Sequence, residues 1–382
     1  MANMYVCRRS ILWTPRLESL PNRADDSSFI TCLTGLRIYR AVRARARRYR
    51  RMRRLPWLLV AIAAAVLIPM LLGGSAIFAR LRSFPLSWML GLISIILGCW
   101  VLNTLRLRLL LGDQRGQVSR LQSLGVVMSA EFAWCATPAG SGGPLTIMAL
   151  LSRYGVRPAQ ASAVFAMDQL SDLLFFLCAL IGVLFYALAH SISQSQQMML
   201  VISTVLVAGS LVGCVALGLW HRRVMLLIGR LMRRVRLKSS TRWRWTRKWL
   251  RFIAAFTNAL KLPRSTLIMV FSLTCVHWGL RYSILYLALQ GLGVDFQWAW
   301  SFLIQILSLS AGQFSLLPGG AGTAELTSAA LLAPMVGKST AAAAILIWRS
   351  VTYYFYLIVG GPIFVLMLGR PLLGKMMGRK RS

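Results

Sequence analysis

The chain has 382 residues, of which 57% are hydrophobic and only 14% charged, with a formal net charge of +35. Several apolar runs exceed the roughly 18 residues that mark a membrane span, which excludes an ordinary soluble domain. The basic residues cluster beside those runs, where they set orientation and attract anionic lipid head groups, so no nucleic acid is expected as a partner.

Residues 1–54 are polar and then Arg-rich from Arg37 to Arg54. No apolar stretch precedes a small-residue cleavage site, so the segment is read as a disordered basic cytoplasmic tail and not as a signal peptide. A translation start at Met52 is the alternative. Ten apolar runs follow: Trp57–Ala79, Leu86–Leu105, Leu121–Cys135, Pro144–Leu151, Ala161–Ala189, Met198–Leu219, Thr266–Leu289, Trp298–Leu317, Thr323–Ala333 and Thr340–Leu368. Six are long enough to span. Leu121–Cys135, Pro144–Leu151 and Thr323–Ala333 are too short at 1.5 Å per residue, and Trp298–Leu317 is borderline.

Loop charge sets the topology. The stretches before Trp57, Arg106–Arg120, Arg153–Arg157, His221–Arg264 and Arg370–Arg381 are basic, whereas His190–Gln197 and Gly291–Gln297 carry no Lys or Arg. The positive-inside rule then places both termini in the cytoplasm of an inner or plasma membrane. Parity makes Leu121–Leu151 a re-entrant hairpin with its tip at Thr137–Gly143. A second hairpin, Trp298–Ala333, enters from the opposite side with its tip at Leu317–Gly322. Both tips match Pro-x-Gly-x-Gly, as Pro138, Gly140 and Gly142 (with Gly143 following) and as Pro318, Gly320 and Gly322 (with Gly319 between). Each is followed about thirty residues on by a charged residue in a long run, Asp168 or Arg349. Matched hairpins entering from opposite faces mark an inverted-topology repeat with its site at the interface.

Glycine-rich tips at helix starts can expose backbone N–H groups to a phosphate or carboxylate, and they can equally serve close packing of a kinked hairpin. Four acids lie inside the apolar stretches: Glu131, Asp168, Asp172 and Glu325. A charge at the bilayer centre costs about 2.5–3.5 kcal/mol on insertion scales, so such residues face a bundle interior or a wet cavity. Asp168 and Asp172 share a helical face. They are suited to pairing with Arg349 or Arg281, to holding a cationic head group, or to carrying a proton. Glu325 sits in the first turn after Gly322, where a capping role is open to it. Arg349 is too deep to snorkel; it is expected to pair with Asp168, Asp172 or Glu325 and is suited to clamping a lipid phosphate. The loop His221–Arg264, with Trp243, Trp245 and Trp249 among its basic residues, reads as an interfacial amphipathic helix.

Other chemistry is not indicated. Gly337-Lys338-Ser339 lacks the upstream glycine of a P-loop, where Leu332 stands. Cys7, Cys32, Cys99, Cys135, Cys178, Cys214 and Cys275 show no CxxC spacing, and His190, His221 and His277 are scattered. No metal, cofactor or catalytic set is expected.

Residues 137–172, TPAGSGGPLTIMALLSRYGVRPAQASAVFAMDQLSD, resemble the first signature of the lysylphosphatidylglycerol synthase transmembrane, or flippase-like, family. Residues 317–361, with their Pro-Gly-Gly-x-Gly-x-x-Glu stretch and later Arg349, resemble its second. The resemblance covers roughly residues 57–370. In the multiple peptide resistance factor this membrane half is associated with flipping aminoacylated phosphatidylglycerol, so the resemblance implies an inverted-repeat fold and lipid transport. Gln169 stands where the family often has Arg, and no soluble aminoacyl-transferase domain follows, so synthase activity is not expected.

The expectation is therefore an all-α integral membrane protein of about six spans and two re-entrant hairpins. A transmembrane domain occupies residues 55–370, with a first repeat at about 86–219, a basic loop at 221–264 and a second repeat at about 266–370. A basic tail follows at 371–382. The function expected is movement of a polar or anionic, in one case aminoacylated, phospholipid or lipid-linked head group between leaflets. The rival readings are a secondary transporter of a small ion or solute, and a membrane-embedded transferase or partner of a lipid-synthesis enzyme. Membrane phospholipid is the expected partner, with a homo-oligomer or a separate lipid-synthesis enzyme also open.

Overall fold

A computed structural model describes residues 55–189, 194–219, 223, 230 and 239–376. The basic tail 1–54, the alternative start at Met52 and most of the loop from His221 to Lys238 lie outside the described residues. The chain divides into two units at Leu59/Val60, and apart from residues 55–59 at the start of the first helix everything below concerns the second.

The described residues are helical throughout, without a named strand. In chain order the helices are α1 (Leu55–Gly73), α2 (Ala76–Ser83), α3 (Leu86–Leu110), α4 (Arg120–Cys135), α5 (Gly142–Arg153), α6 (Pro158–Ala189) and α7 (Gln194–Leu219). Then come α8 (Ser239–Leu260), α9 (Arg264–Gly291), α10 (Trp298–Gln313), α11 (Thr323–Val336), α12 (Lys338–Arg349) and α13 (Phe355–Met376). A 3₁₀ turn at Gly112–Gln117 links α3 to α4, and a π turn at Ser350–Tyr354 links α12 to α13 without ending the span.

Among the described residues, four helical stretches are long and apolar enough to cross a membrane: Leu86–Leu110, Pro158–Ala187, Arg264–Gly291 and Lys338–Leu368. The run expected as a first straight span is broken. Val60–Gly73 and Ala76–Ser83 are bent by 106°, making a fifth crossing when counted together. The break falls where Gly74 adopts a φ of 59°, which a helix cannot continue through. In α7 the polar start Gln194–Gln197 leaves a shorter apolar stretch, Gln197–Gly213. Helix α13 runs to Met376.

Short helices flank both Pro-x-Gly-x-Gly tips. Helices α4 and α10 have 16 residues each, about 24 Å at 1.5 Å per residue and short of a bilayer's apolar thickness of about 30 Å. Each packs against the arm that follows it, α4 on α5 and α10 on α11. The bundle is closed by α3 on α9, α13 on α4, and α12 against α9 and α11. Thr340 to Arg349 are all buried, so α12 runs through the middle of the protein. Its small residues Ala341 to Ala344 let neighbours approach closely, in the manner of membrane helix pairs.

The two tips meet. Pro138 and Pro318 form an antiparallel bridge, and the Gly319 N–H donates to the Thr137 carbonyl at 3.3 Å. This contact demands glycine. A side chain at Gly319 would fall 2.2 Å from the Tyr353 ring and 2.8 Å from the Cys135 carbonyl oxygen, and one at Gly320 would fall 2.8 Å from Gly312 Cα. Gly319 and Gly320 also hold positive φ, 64° and 70°. A Gly320→Ala variant is therefore expected to lower stability by on the order of 2 kcal/mol or more, because strain and backbone clash act together. Thermal unfolding in detergent checks this against Gly182→Ala, where open space surrounds the added methyl.

Candidate functional site

The meeting of the tips leaves a cavity of about 530 Å³ between the hairpins and helices α3, α6, α9 and α12. Three arginines and three acids line it: Arg106, Arg281 and Arg349 against Glu131, Asp168 and Asp172. Their arrangement follows from the helices that carry them.

Arg106 lies one residue beyond the apolar run in α3, where the loop pattern Arg106–Arg120 places it with the cytoplasmic basic residues. The helix does not stop there. It continues to Leu110 and carries Arg106 into the core, where it is 1% exposed. One Arg106 Nη2 reaches Asp168 Oδ1 at 2.6 Å and Asp172 Oδ1 at 2.7 Å, while Nη1 donates to Asn103. The Asp168–Asp172 pair is therefore neutralised from α3, and not by Arg349 or Arg281 as the sequence led one to expect. Trp278 Nε1 donates to the same Asp172 oxygen at 2.7 Å, and Ser171 bonds Thr274, so α6 is fixed to α9 around the acids. Asp172 Oδ1 accepts both Arg106 and Trp278, and its side chain is 12% exposed. Asp168 retains 29% side-chain exposure and faces the cavity.

Arg281 sits on α9, donates to the Tyr356 hydroxyl at 2.6 Å and approaches Glu131 at 3.6 Å. It also lies over the Trp278 and Tyr356 rings. Glu131, one of the four acids inside apolar stretches, thereby becomes part of the cavity wall.

Arg349 pairs with Glu325, Nε to Oε1 at 2.6 Å, with 3% and 0% side-chain exposure. This is one of the three acids expected as its partner. The contact is an ion pair outside hydrogen-bond geometry, and Arg349 Nη2 has no hydrogen-bond partner. The guanidinium lies near the Trp348 and Tyr353 rings, which supply a cation–π environment. The other oxygen of Glu325 accepts from the Gly322 N–H at 2.7 Å, closing the start of α11. One carboxylate thus caps its own helix and holds Arg349.

The tips do not offer free amides at the expected positions. Gly140, Gly142 and Gly143 donate to Thr137 O, Thr137 Oγ1 and Gly140 O, and Gly320 and Gly322 donate to Leu317 O and Glu325. With Gly319 bonded across to Thr137, the glycine N–H groups are consumed within and between the tips. Close packing is what these glycines serve: a side chain at Gly140 or Gly143 would fall 2.1 Å from the Trp134 ring.

Of the candidate residues, Gly140, Asp168, Asp172, Gly319, Gly320 and Arg349 line the cavity. Pro138, Gly142, Gly143, Pro318, Gly322 and Glu325 do not; they build the tips behind it. Glu131 and Arg281, noted from the sequence as an acid inside an apolar run and a possible acid partner, also line it, as do Arg106 and the buried His277, to which the sequence reading gave no site role. Among the described residues, no three His, Cys, Asp or Glu side chains converge as metal ligands.

A sequence model described as the lysylphosphatidylglycerol synthase TM region matches residues 57–360, and the chain belongs to that family. It is also similar to a UPF0104 membrane protein of Archaeoglobus fulgidus, 24% identical over 287 residues. That match covers 72% of this chain and 85% of the relative. Family membership and the apolar helices together make this a multi-pass membrane protein.

Removing one partner of a buried ion pair leaves an uncompensated charge, at a cost of about 3–5 kcal/mol. Arg349→Leu alone is expected to destabilise by that order. The double variant Glu325→Gln/Arg349→Leu is expected to recover most of it, because Gln keeps an acceptor oxygen for the Gly322 N–H and carries no charge. Thermal unfolding of the three proteins in one detergent measures the coupling.

Proposed function

We propose that the protein moves a polar or anionic phospholipid, or a lipid-linked head group, between membrane leaflets. In this reading α4–α5 and α10–α11 are re-entrant hairpins of an inverted repeat with six spans in all, both termini are cytoplasmic, and the tips meet near the bilayer centre. The observation that carries the proposal is Arg349: a guanidinium buried in an apolar span, lining the cavity, with Nη2 unpartnered. An unused donor at such depth is expensive unless something passes that accepts from it. A phosphate does, and the mixed acids and arginines around the cavity give a polar route for its head group while acyl chains stay in lipid. Membership in a family described by lysylphosphatidylglycerol synthesis is consistent with a phospholipid cargo. No enzymatic activity is assigned to the chain.

The test is movement of head-group-labelled anionic phospholipid across proteoliposome leaflets. Because Arg349→Leu is expected to destabilise, Glu325→Gln/Arg349→Leu is the variant to assay. Its rate is expected to fall at least about tenfold, the equivalent of losing one charge-assisted hydrogen bond of about 1.5–3 kcal/mol. A rate equal to wild type refutes the assignment of Arg349.

A second reading, secondary transport of a small ion or solute, is favoured by the Arg106–Asp168–Asp172 cluster, because an acid exposed to the cavity beside a second acid is suited to proton exchange. Asp168→Asn separates the readings. Under proton-coupled transport, flux is expected to lose its dependence on a pH gradient while lipid binding persists. Wild-type protein that moves no lipid under any gradient, yet takes up a solute saturably, replaces the lipid reading with this one.

A further inference from the structure

A second concavity, of about 740 Å³, lies where α3, α4 and α9 come together. Its walls are apolar, formed by Val101 and Leu105 of α3, Leu121 and Leu124 of α4, and Met269 and Leu273 of α9. Leu121, Met269 and Leu105 are 81%, 56% and 46% exposed, so this wall faces outward and not into the core. Three arginines complete the lining, mostly through their apolar stems: Arg108, Arg115 and Arg120. All come from the α3–α4 connection, the last turn of α3, the 3₁₀ turn and the first residue of α4, and so gather at one end of the groove.

The cations are not spent on acids. Arg108 Nη1 donates to the Val118 carbonyl at 2.7 Å and to Ser123 Oγ at 3.4 Å, contacts that orient the guanidinium without neutralising it. The side chains of Arg115 and Arg120 are exposed and have no hydrogen-bond or ion-pair partner among the described residues. Asp113, on the same turn, does not line the groove.

A soluble anion would use the arginines and leave the apolar wall bare. A neutral lipid would use the wall and leave three charges unmatched. An amphiphile with a phosphate at one end and an alkyl chain at the other matches both. We infer that this groove binds one anionic phospholipid from the surrounding bilayer, with its phosphate on Arg108, Arg115 and Arg120 and an acyl chain along Leu105, Leu121 and Met269. The site is separate from the cavity between the hairpins, and its occupant is a resident lipid and not the cargo.

The experiment places the photoreactive residue p-benzoylphenylalanine at position 269 and reconstitutes the protein with phosphatidylglycerol or phosphatidylcholine at equal mole fraction. Cross-linking to phosphatidylglycerol is expected to dominate in the wild-type background. In Arg115→Gln/Arg120→Gln the preference is expected to fall roughly 25-fold, at about 1 kcal/mol per basic residue near an anionic surface and tenfold per 1.4 kcal/mol. Excess inorganic phosphate is expected to leave the labelling unchanged. The Glu325→Gln/Arg349→Leu variant, altered only at the central cavity, is also expected to leave it unchanged. Native mass spectrometry without the photoprobe gives an independent reading: one fewer anionic phospholipid retained per protein when Arg115 and Arg120 are replaced. Equal labelling by both lipids overturns the inference, as does labelling indifferent to the two arginines. Competition by free phosphate would reassign the site to a soluble anion, and loss of labelling in the central-cavity variant would show that the lipid comes from the cavity.

Discussion

Backbone polar groups cannot be left unpaired in hydrocarbon, and a chain that breaks two helices inside a membrane protein must satisfy the broken ends within itself. The solution here is mutual. Each tip folds its glycine amides back onto its own carbonyls or side chains, and the remaining donor, Gly319, bonds to the opposite tip at Thr137. The bridge between Pro138 and Pro318 then fixes how closely the hairpins approach. Tyr353, held by its hydroxyl to the Pro318 carbonyl, brings α12 and α13 against the same point. The cavity is the space this arrangement leaves, so its dimensions depend on the tip glycines, of which Gly140, Gly319 and Gly320 also form part of its wall.

Charge follows the same logic of local settlement. Three arginines and four acids, buried or half-buried, gather in the region, and each arginine has at least one acid within 4.0 Å. The clusters are nevertheless unequal. Arg106 is held by two carboxylates, Arg281 leans on aromatic rings and a distant carboxylate, and Arg349 keeps an unused donor. Neutralisation along the cavity wall is therefore graded, from the doubly held Arg106 to the singly paired Arg349.

Much of this was legible in the sequence, and the failures have physical causes. The tips were readable because proline and glycine break helices, and few other patterns do so between apolar runs. Arg349 and the four acids were readable because charge inside an apolar run is costly. The partner of Asp168 and Asp172 was not. Arg106 stands just past an apolar run, and composition cannot reveal that α3 continues another turn and rotates that residue inward. The sequence also left packing and anion binding as equal uses of the tip glycines. The hydrogen bonds decide for packing, because a donor already bonded within its own turn is invisible in a residue pattern. The straight first span failed at Gly74, where hydropathy registered only a continuous apolar run.

Glu325 has a consequence for the end of α11. The start of a helix ordinarily attracts anions through its free amides and dipole, and here that attraction is met by a carboxylate three residues along the same chain. A tethered group competes at an effective concentration that a diffusing ion rarely reaches. The helix end therefore exerts little standing pull on an anion in the cavity. For any protein that must let go of what it binds, that is useful, since a deep well slows release as surely as a barrier slows entry. By occupying its own helix start from within, the chain leaves that helix end little attraction for any further anion.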